Sequence, residues 1–105
     1  GLHRLLVSID CDPNCVEVVI CEDSAPRRAE VRSVVKEYLA RSGYKVIYHE
    51  NETNLGYDAN LRRLIELASG NFVLFMGDDD WFVHGALDRY LRFLEQNRDV
   101  GYVLR

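Results

Sequence analysis

Three consecutive aspartates, Asp78, Asp79 and Asp80, carry the clearest chemical signal in this sequence. Adjacent carboxylates repel one another, and a divalent cation that prefers oxygen ligands relieves that repulsion. Gly77 and the apolar run of residues 72–76 come directly before them, a pattern typical of a buried parallel strand that ends in a turn. The alternative is a solvated acidic turn that caps the next helix, because aspartate is favoured at helix N-termini. The triplet therefore predicts either a ligand site or a helix cap.

A second pair of acids, Glu22 and Asp23, follows another apolar run, residues 16–21. In a parallel sheet the carboxyl ends of the strands lie at one edge, and ligands of open α/β sheets bind beyond that edge. The five carboxylates are therefore expected to crowd one crevice, which indicates a bound cation or a polar ligand. The alternative is that Arg27 and Arg28 neutralise the first pair.

A third polar group, made of Asn54, Gly56, Asp58 and Asn60, lies where a loop enters a helix. Gly56 permits a ligand to approach the backbone closely, and a helix N-terminus favours anions. Taken alone, these four residues favour a simple turn followed by a helix cap.

Apolar spacing predicts the elements that must position these groups. Helices are expected over residues 1–10, between Ser24 and Gly43, over residues 57–69 and around residues 86–94, and strands over residues 16–21, 45–49, 72–76 and 100–104. Ser24 is the predicted cap of the second helix, with Pro26 in its first turn. This alternation predicts an α/β fold, with a mostly parallel sheet and helices on both faces.

Length and composition narrow the class of protein. The 105 residues are expected to form one domain, and the net charge of −4 argues against a nucleic-acid partner. No apolar run approaches the ~20 residues needed to span a bilayer, so a soluble protein is expected. Cys11, Cys15 and Cys21 lack the paired spacing of a zinc site, and we expect reduced thiols.

Three segments taken together resemble the family-two glycosyltransferases of the GT-A fold. They are residues 16–24 (Val-Glu-Val-Val-Ile-Cys-Glu-Asp-Ser), residues 54–56 (Asn-Leu-Gly) and residues 68–80, which end in the aspartate triplet. The resemblance covers essentially the whole chain, and the order and spacing of the segments are more specific than any one of them. It implies a Rossmann-like GT-A half domain, residues 1–105, that binds a nucleotide sugar.

The resemblance also assigns roles to individual residues. The second acid of the family's first acidic turn contacts the base, and this acid matches Asp23. The aspartate triplet contacts the ribose and, through Mn²⁺ or Mg²⁺, the diphosphate. The implied nucleotide-binding residues are Glu22, Asp23, Asn54, Gly56, Asp58, Asn60, Asp78 and Asp79, and the implied metal ligands are Asp78, Asp79 and Asp80.

The partners that the resemblance implies are a UDP-sugar as donor and a saccharide or a lipid-linked acceptor, as in bacterial polysaccharide biosynthesis. A cytoplasmic location is expected, with the cytoplasmic face of the membrane as the alternative.

The sequence departs from the family pattern in three places. The Arg-Asn pair common after the Asn-x-Gly turn is replaced by Asp58-Ala59-Asn60, and the general base is expected beyond Arg105, so the catalytic residue is unknown. The family's first strand, which precedes the opening helix, is missing. That strand would lie between residues 16–21 and 72–76. We therefore expect an open sheet that favours association between copies, and a fragment that is inactive alone.

A response-regulator receiver domain is the alternative class. Residues 20–24, an Arg-bearing helix and residues 43–46 resemble its start, where an acid pair helps to bind Mg²⁺ beside a phosphorylated aspartate; Asp78 would be that aspartate. Against this, a receiver begins with its acid-bearing strand and has no helix before it.

Overall fold

The computed structural model describes residues 1–97. Its elements are α1 (Leu2–Ser8), β1 (Glu17–Glu22), α2 (Arg28–Arg41), β2 (Lys45–Glu50), α3 (Tyr57–Leu67) and α4 (Ala86–Gln96). Strands β1 and β2 pair in parallel, with Glu17 opposite Lys45 and Glu22 opposite Glu50. Helix α2 connects them, so the predicted α/β class is confirmed. The strand predicted over residues 100–104 lies outside the described residues.

The core of the described residues draws its buried apolar side chains from three helices. Its buried apolar side chains are Leu5 and Leu6 of α1, Val35 of α2 and Leu87 of α4. Helix α1 packs against α2, and α3 packs against β1. All three cysteines are free, as expected. Within residues 1–97 no helix combines the length and apolar character that a bilayer crossing requires.

The predicted cap of α2 is wrong. The helix begins at Arg28, and Arg27 at its N-cap makes no side-chain cap. Ser24 has a positive φ of 56° and lies in the turn before the helix. The carboxylate of Glu22 accepts the N–H groups of this turn, so an acid from the preceding strand replaces the serine hydroxyl.

The strand predicted over residues 72–76 is also wrong in the described structure. This segment forms no ladder, and the sheet of the described residues contains β1 and β2 only. Phe72, Val73, Leu74 and Phe75 are 37–46% exposed instead of buried. A strand needs a neighbour for its N–H and C=O groups, and no partner strand lies beside this segment among residues 1–97. The apolar pattern therefore predicted neither the pairing nor the burial of this segment correctly.

An ion pair fastens α2 to the end of β2. Arg32 donates from Nε and Nη2 to the two carboxylate oxygens of Glu50, at 2.9 and 2.8 Å. The hydroxyl of Tyr48 donates to the same carboxylate at 2.6 Å. Arg32 first, and then Tyr48, lower the pKa of Glu50 from 4.5 to about 2.

This pKa predicts an acid-sensitive contribution to stability. A carboxyl whose pKa is lowered on folding stabilises the native state above its unfolded pKa, and that contribution disappears as the pH falls through the folded pKa. We therefore expect the melting temperature to fall between pH 4.5 and about 2, and to fall less steeply in Glu50→Gln. Melting curves across this range test it, with Glu52→Gln on the exposed loop as the control. Equal acid slopes for Glu50→Gln and wild type would contradict the assignment.

Candidate functional site

Glu22, the last residue of β1, is buried among donors of its own chain. Its carboxylate accepts hydrogen bonds from the backbone N–H groups of Ser24 and Ala25, at 2.9 and 2.7 Å. Arg28, in the first turn of α2, forms an ion pair with it at 2.5 Å. Burial opposes ionisation, but these donors outweigh it and hold the pKa of Glu22 below its ordinary value. The buried Glu22 carboxylate therefore stabilises the turn. For this acid, the alternative of neutralisation by an arginine is confirmed.

The Asp23 carboxylate accepts hydrogen bonds from the loop between β2 and α3. Its Oδ1 accepts hydrogen bonds from the Leu55 N–H at 2.8 Å and from the Asn51 side-chain amide at 2.9 Å. Its Oδ2 accepts one from the Gly56 N–H at 3.0 Å. The Leu55 N–H, followed by the Asn51 amide, holds the pKa of Asp23 below its usual value. Gly56 has a φ of 88°, which a glycine adopts without strain.

Asn51 connects the polar groups at this edge of the sheet and is only 3% exposed. Its Nδ2 donates to Asp23 Oδ1 and to Asn60 Oδ1, both at 2.9 Å. Its Oδ1 accepts from the Cys21 thiol at 3.4 Å. Its backbone N–H donates to the Glu22 carbonyl at 2.8 Å, and its own carbonyl accepts from the guanidinium at the start of α2.

The other predicted loop residues divide into two groups. Asn60 donates from Nδ2 to the Cys21 carbonyl at 3.2 Å, and Asn54 Oδ1 accepts from the Gly56 N–H at 3.1 Å. These residues therefore belong to the same network as Asp23. Asp58 is exposed in the first turn of α3 and lies outside that network.

The aspartate triplet forms a tight turn on the surface. The Asp80 N–H donates to the Gly77 carbonyl at 3.0 Å, which closes the turn. Asp78 and Asp79 are exposed, and Asp80 is half-buried. A Cβ at Gly77 would lie 3.3 Å from Asp80 Oδ2, so a side chain at this position would crowd that carboxylate.

Helix α1 contacts the two residues that follow the aspartate triplet, Trp81 and Phe82. The Arg4 guanidinium lies over the Trp81 ring, 3.6 Å from its centroid. The Phe82 N–H donates to Ser8 Oγ at 2.9 Å, and the Ser8 hydroxyl donates to the Leu5 carbonyl at 2.6 Å. Because Leu5 belongs to the core, these contacts tie the exit of the acidic turn to the packed helices.

The five carboxylates do not converge as expected. No three His, Cys, Asp or Glu side chains within the described part of the chain are placed to hold a metal ion. The reason is that Glu22 faces the start of α2 and Asp23 faces the loop after β2. Arg27 pairs with Glu30 at 2.5 Å and not with either acid. The charge of Asp78 adds to that of Glu30 in raising the pKa of Arg27, which places Asp78 within electrostatic reach of this arginine.

The sequence pattern assigned no role to Asn51. The strand register shows the signal that could have found it. Glu22 lies opposite Glu50, so residue 51 leaves β2 at the edge where Asp23 leaves β1. An asparagine directly after a strand, beside an acid that directly follows the parallel neighbour, predicts a hydrogen bond between them.

In open α/β sheets, ligands bind beyond the carboxyl ends of the strands, which is where this βαβ unit carries its polar network. The family model for glycosyl transferase family 2 matches residues 2–105. The chain therefore belongs to glycosyl transferase family 2. A receiver domain is not favoured, because this match covers nearly the whole chain and α1 precedes the acid-bearing strand.

Two curated relatives are similar to the chain. An uncharacterized glycosyltransferase of Methanocaldococcus jannaschii is 27% identical over 75 residues, which are 71% of this chain and 26% of the relative. An uncharacterized glycosyltransferase of Haemophilus influenzae is 26% identical over 87 residues, which are 83% of this chain and 27% of the relative. The chain thus spans about a quarter of the length of each relative. No solved structure matches it significantly.

Proposed function

We propose that the chain is the donor-binding portion of a glycosyltransferase that transfers a sugar from a nucleoside diphosphate, with a UDP-sugar as the donor. Family membership supports glycosyl transfer in general. The observation that carries the finer proposal is the exposed pair Asp78 and Asp79, on a turn that follows an apolar segment. The proposed acceptor is a saccharide or a lipid-linked saccharide, and no described residue is assigned as the general base.

The acidic turn suits a hard divalent cation. Mg²⁺ is usually held by one or two carboxylates together with substrate phosphates and water, so a cage of three acids is not required. Asp78 and Asp79 would hold Mn²⁺ or Mg²⁺, with Asp80 in the same turn. When bound, the cation neutralises the diphosphate leaving group as its bond to the sugar breaks.

Asp23 is the proposed acceptor for the imide N–H of uracil. A carboxylate offers about four lone-pair sites. Asp23 uses two on Oδ1 and one on Oδ2 for its own chain. One site on Oδ2 therefore remains for a ligand. The lowered pKa keeps the group ionised at neutral pH, as an acceptor must be.

Cation-dependent binding of UDP tests the role of the triplet. We expect Mn²⁺ to tighten UDP binding by about tenfold or more, since close contact between a divalent cation and a diphosphate is worth at least ~1.4 kcal/mol. Titration calorimetry with and without Mn²⁺ measures this, and Asp78→Asn or Asp79→Asn should remove the gain. Asp88→Asn, an exposed acid in the first turn of α4, is the matched control. Equal affinity with and without the cation would contradict the proposal.

If Asp23 contacts the base, its substitution should weaken the binding of two ligands to different extents. Asp23→Ala should weaken UDP more than inorganic pyrophosphate, because only UDP carries the base. The expected loss for UDP is about tenfold or more, the value of a hydrogen bond to a charged group. If calorimetry shows that both ligands weaken alike, Asp23 does not contact the base.

A further inference from the structure

We propose that Asn51 is a positioning residue which, together with Asn60, orients the Asp23 carboxylate so that its remaining lone pair faces the nucleotide base. This inference rests on the proposed donor site. Asn51 itself is buried and would not touch the ligand.

The orientation of the Asn51 amide follows from its partners. An ionised carboxylate only accepts hydrogen bonds, so the group facing Asp23 Oδ1 must be the NH₂. On the other side, the Cys21 thiol faces Oδ1 of Asn51. Burial raises the pKa of Cys21, so its S–H remains a donor at neutral pH. A flipped amide would place NH₂ against S–H and oxygen against carboxylate.

The hydrogen bonds form a closed ring. The Cys21 thiol donates to Asn51, Asn51 donates to Asn60, and Asn60 donates back to the Cys21 carbonyl. The ring ties β1, the residue after β2 and α3 together. Rotation of the Asn51 side chain would leave its own buried amide without partners and would remove hydrogen bonds from the half-buried Cys21 and Asn60, which is costly. The amide is therefore held rigidly.

This rigid amide limits the motion of the Asp23 carboxylate. The other two donors to Asp23 are backbone N–H groups, that of Leu55 on the loop and that of Gly56, the N-cap of α3. The Gly56 carbonyl in turn accepts the Asn60 N–H at 3.0 Å, which anchors this donor to α3. Among the contacts described, Asn51 is the side-chain donor to Asp23, and the ring fixes its position. Without it, Oδ1 of Asp23 keeps only the Leu55 N–H as a donor.

Asn51→Asp is the sharpest variant, because it preserves volume but replaces the donor with an acceptor beside Asp23. We expect UDP affinity to fall about tenfold or more, and pyrophosphate affinity to stay within about twofold. Asn51→Ala, which adds no charge, should show the same split. The double variant with Asp23→Ala should bind UDP no more weakly than Asp23→Ala alone, because Asn51 acts through Asp23.

The control separates positioning from general stability. Val35→Ala removes packing in the buried core and should lower the melting temperature without changing the ratio of UDP to pyrophosphate affinity. A parallel fall of both ligands in Asn51→Asp, or additive losses in the double variant, would overturn the proposal.

Amide exchange tests the network without any ligand. In the wild-type chain the Asn51 side-chain NH₂ should exchange far more slowly than that of the exposed Asn14. In Asn51→Asp the N–H groups of Leu55 and Gly56 should exchange faster than in wild type. Unprotected Asn51 protons would overturn the positioning role even if the variants fail to fold. Absence of UDP binding by a wild-type chain that shows this protection would instead count against the proposed function.

Discussion

Glu22→Ala is expected to lower the free energy of unfolding by about 3 kcal/mol. The substitution removes a buried acceptor of two backbone N–H groups and leaves the Arg28 guanidinium without its ion-pair partner. Breaking a buried ion pair on one side costs about 3–5 kcal/mol. The Arg28 side chain is 27% exposed, so water partly replaces the lost partner, and the lower end of that range applies. Domains of this size hold only ~5–15 kcal/mol, so the loss is a large fraction of the total.

Urea unfolding measures this loss, provided that the slope of the transition is unchanged. Glu22→Gln keeps the shape and an acceptor oxygen but loses the charge, and we expect a smaller loss of about 1–2 kcal/mol. Glu30→Ala breaks the exposed Arg27–Glu30 pair, whose side chains are 79% and 63% exposed. That control should cost less than about 0.5 kcal/mol. A Glu22→Ala chain as stable as Glu30→Ala would show that the buried pair does not stabilise the turn.

The contrast between Glu22 and Asp23 shows what the sequence could and could not predict. The apolar run and its position in the chain predicted that both acids would lie at the carboxyl end of a parallel strand, and they do. Which of the two turns inward depends on the alternation of side chains along β1 and on the path of the turn. Sequence spacing does not contain that path. Glu22 therefore had the same predicted role as Asp23, although the structure buries it against α2.

The prediction of a strand over residues 72–76 was wrong for a different reason. Its composition predicted a buried strand, but a strand is defined by a neighbour as well as by its own residues. The helices were easier to predict, because most of their hydrogen bonds are internal. Helix α4, for example, was expected around residues 86–94 and extends from Ala86 to Gln96.

Residues 72–76 lead to a second prediction with a large expected effect. We expect the 105-residue chain to associate with copies of itself. Ser69 donates to the carboxylate of Glu17 at the start of β1, and Asp78 lies within reach of Arg27 beyond its end. The chain that enters this segment therefore starts beside the first residue of β1. In the described residues it forms no ladder, and β1 pairs on one edge only. Open edges with exposed apolar side chains recruit strands from neighbours.

Substitution of an apolar side chain in this segment by a charge should weaken the association. Phe75 is 41% exposed, and burial of a phenylalanine in an interface is worth about 1.5–3 kcal/mol. We expect Phe75→Lys to raise the dissociation constant between copies by about tenfold to a hundredfold, as measured by sedimentation or light scattering over a concentration series. Val7→Lys, at a 65% exposed position of α1, is the control that adds the same charge elsewhere. A wild-type chain that stays monomeric at high concentration, or an equal response to both variants, would show that copies do not meet through this segment.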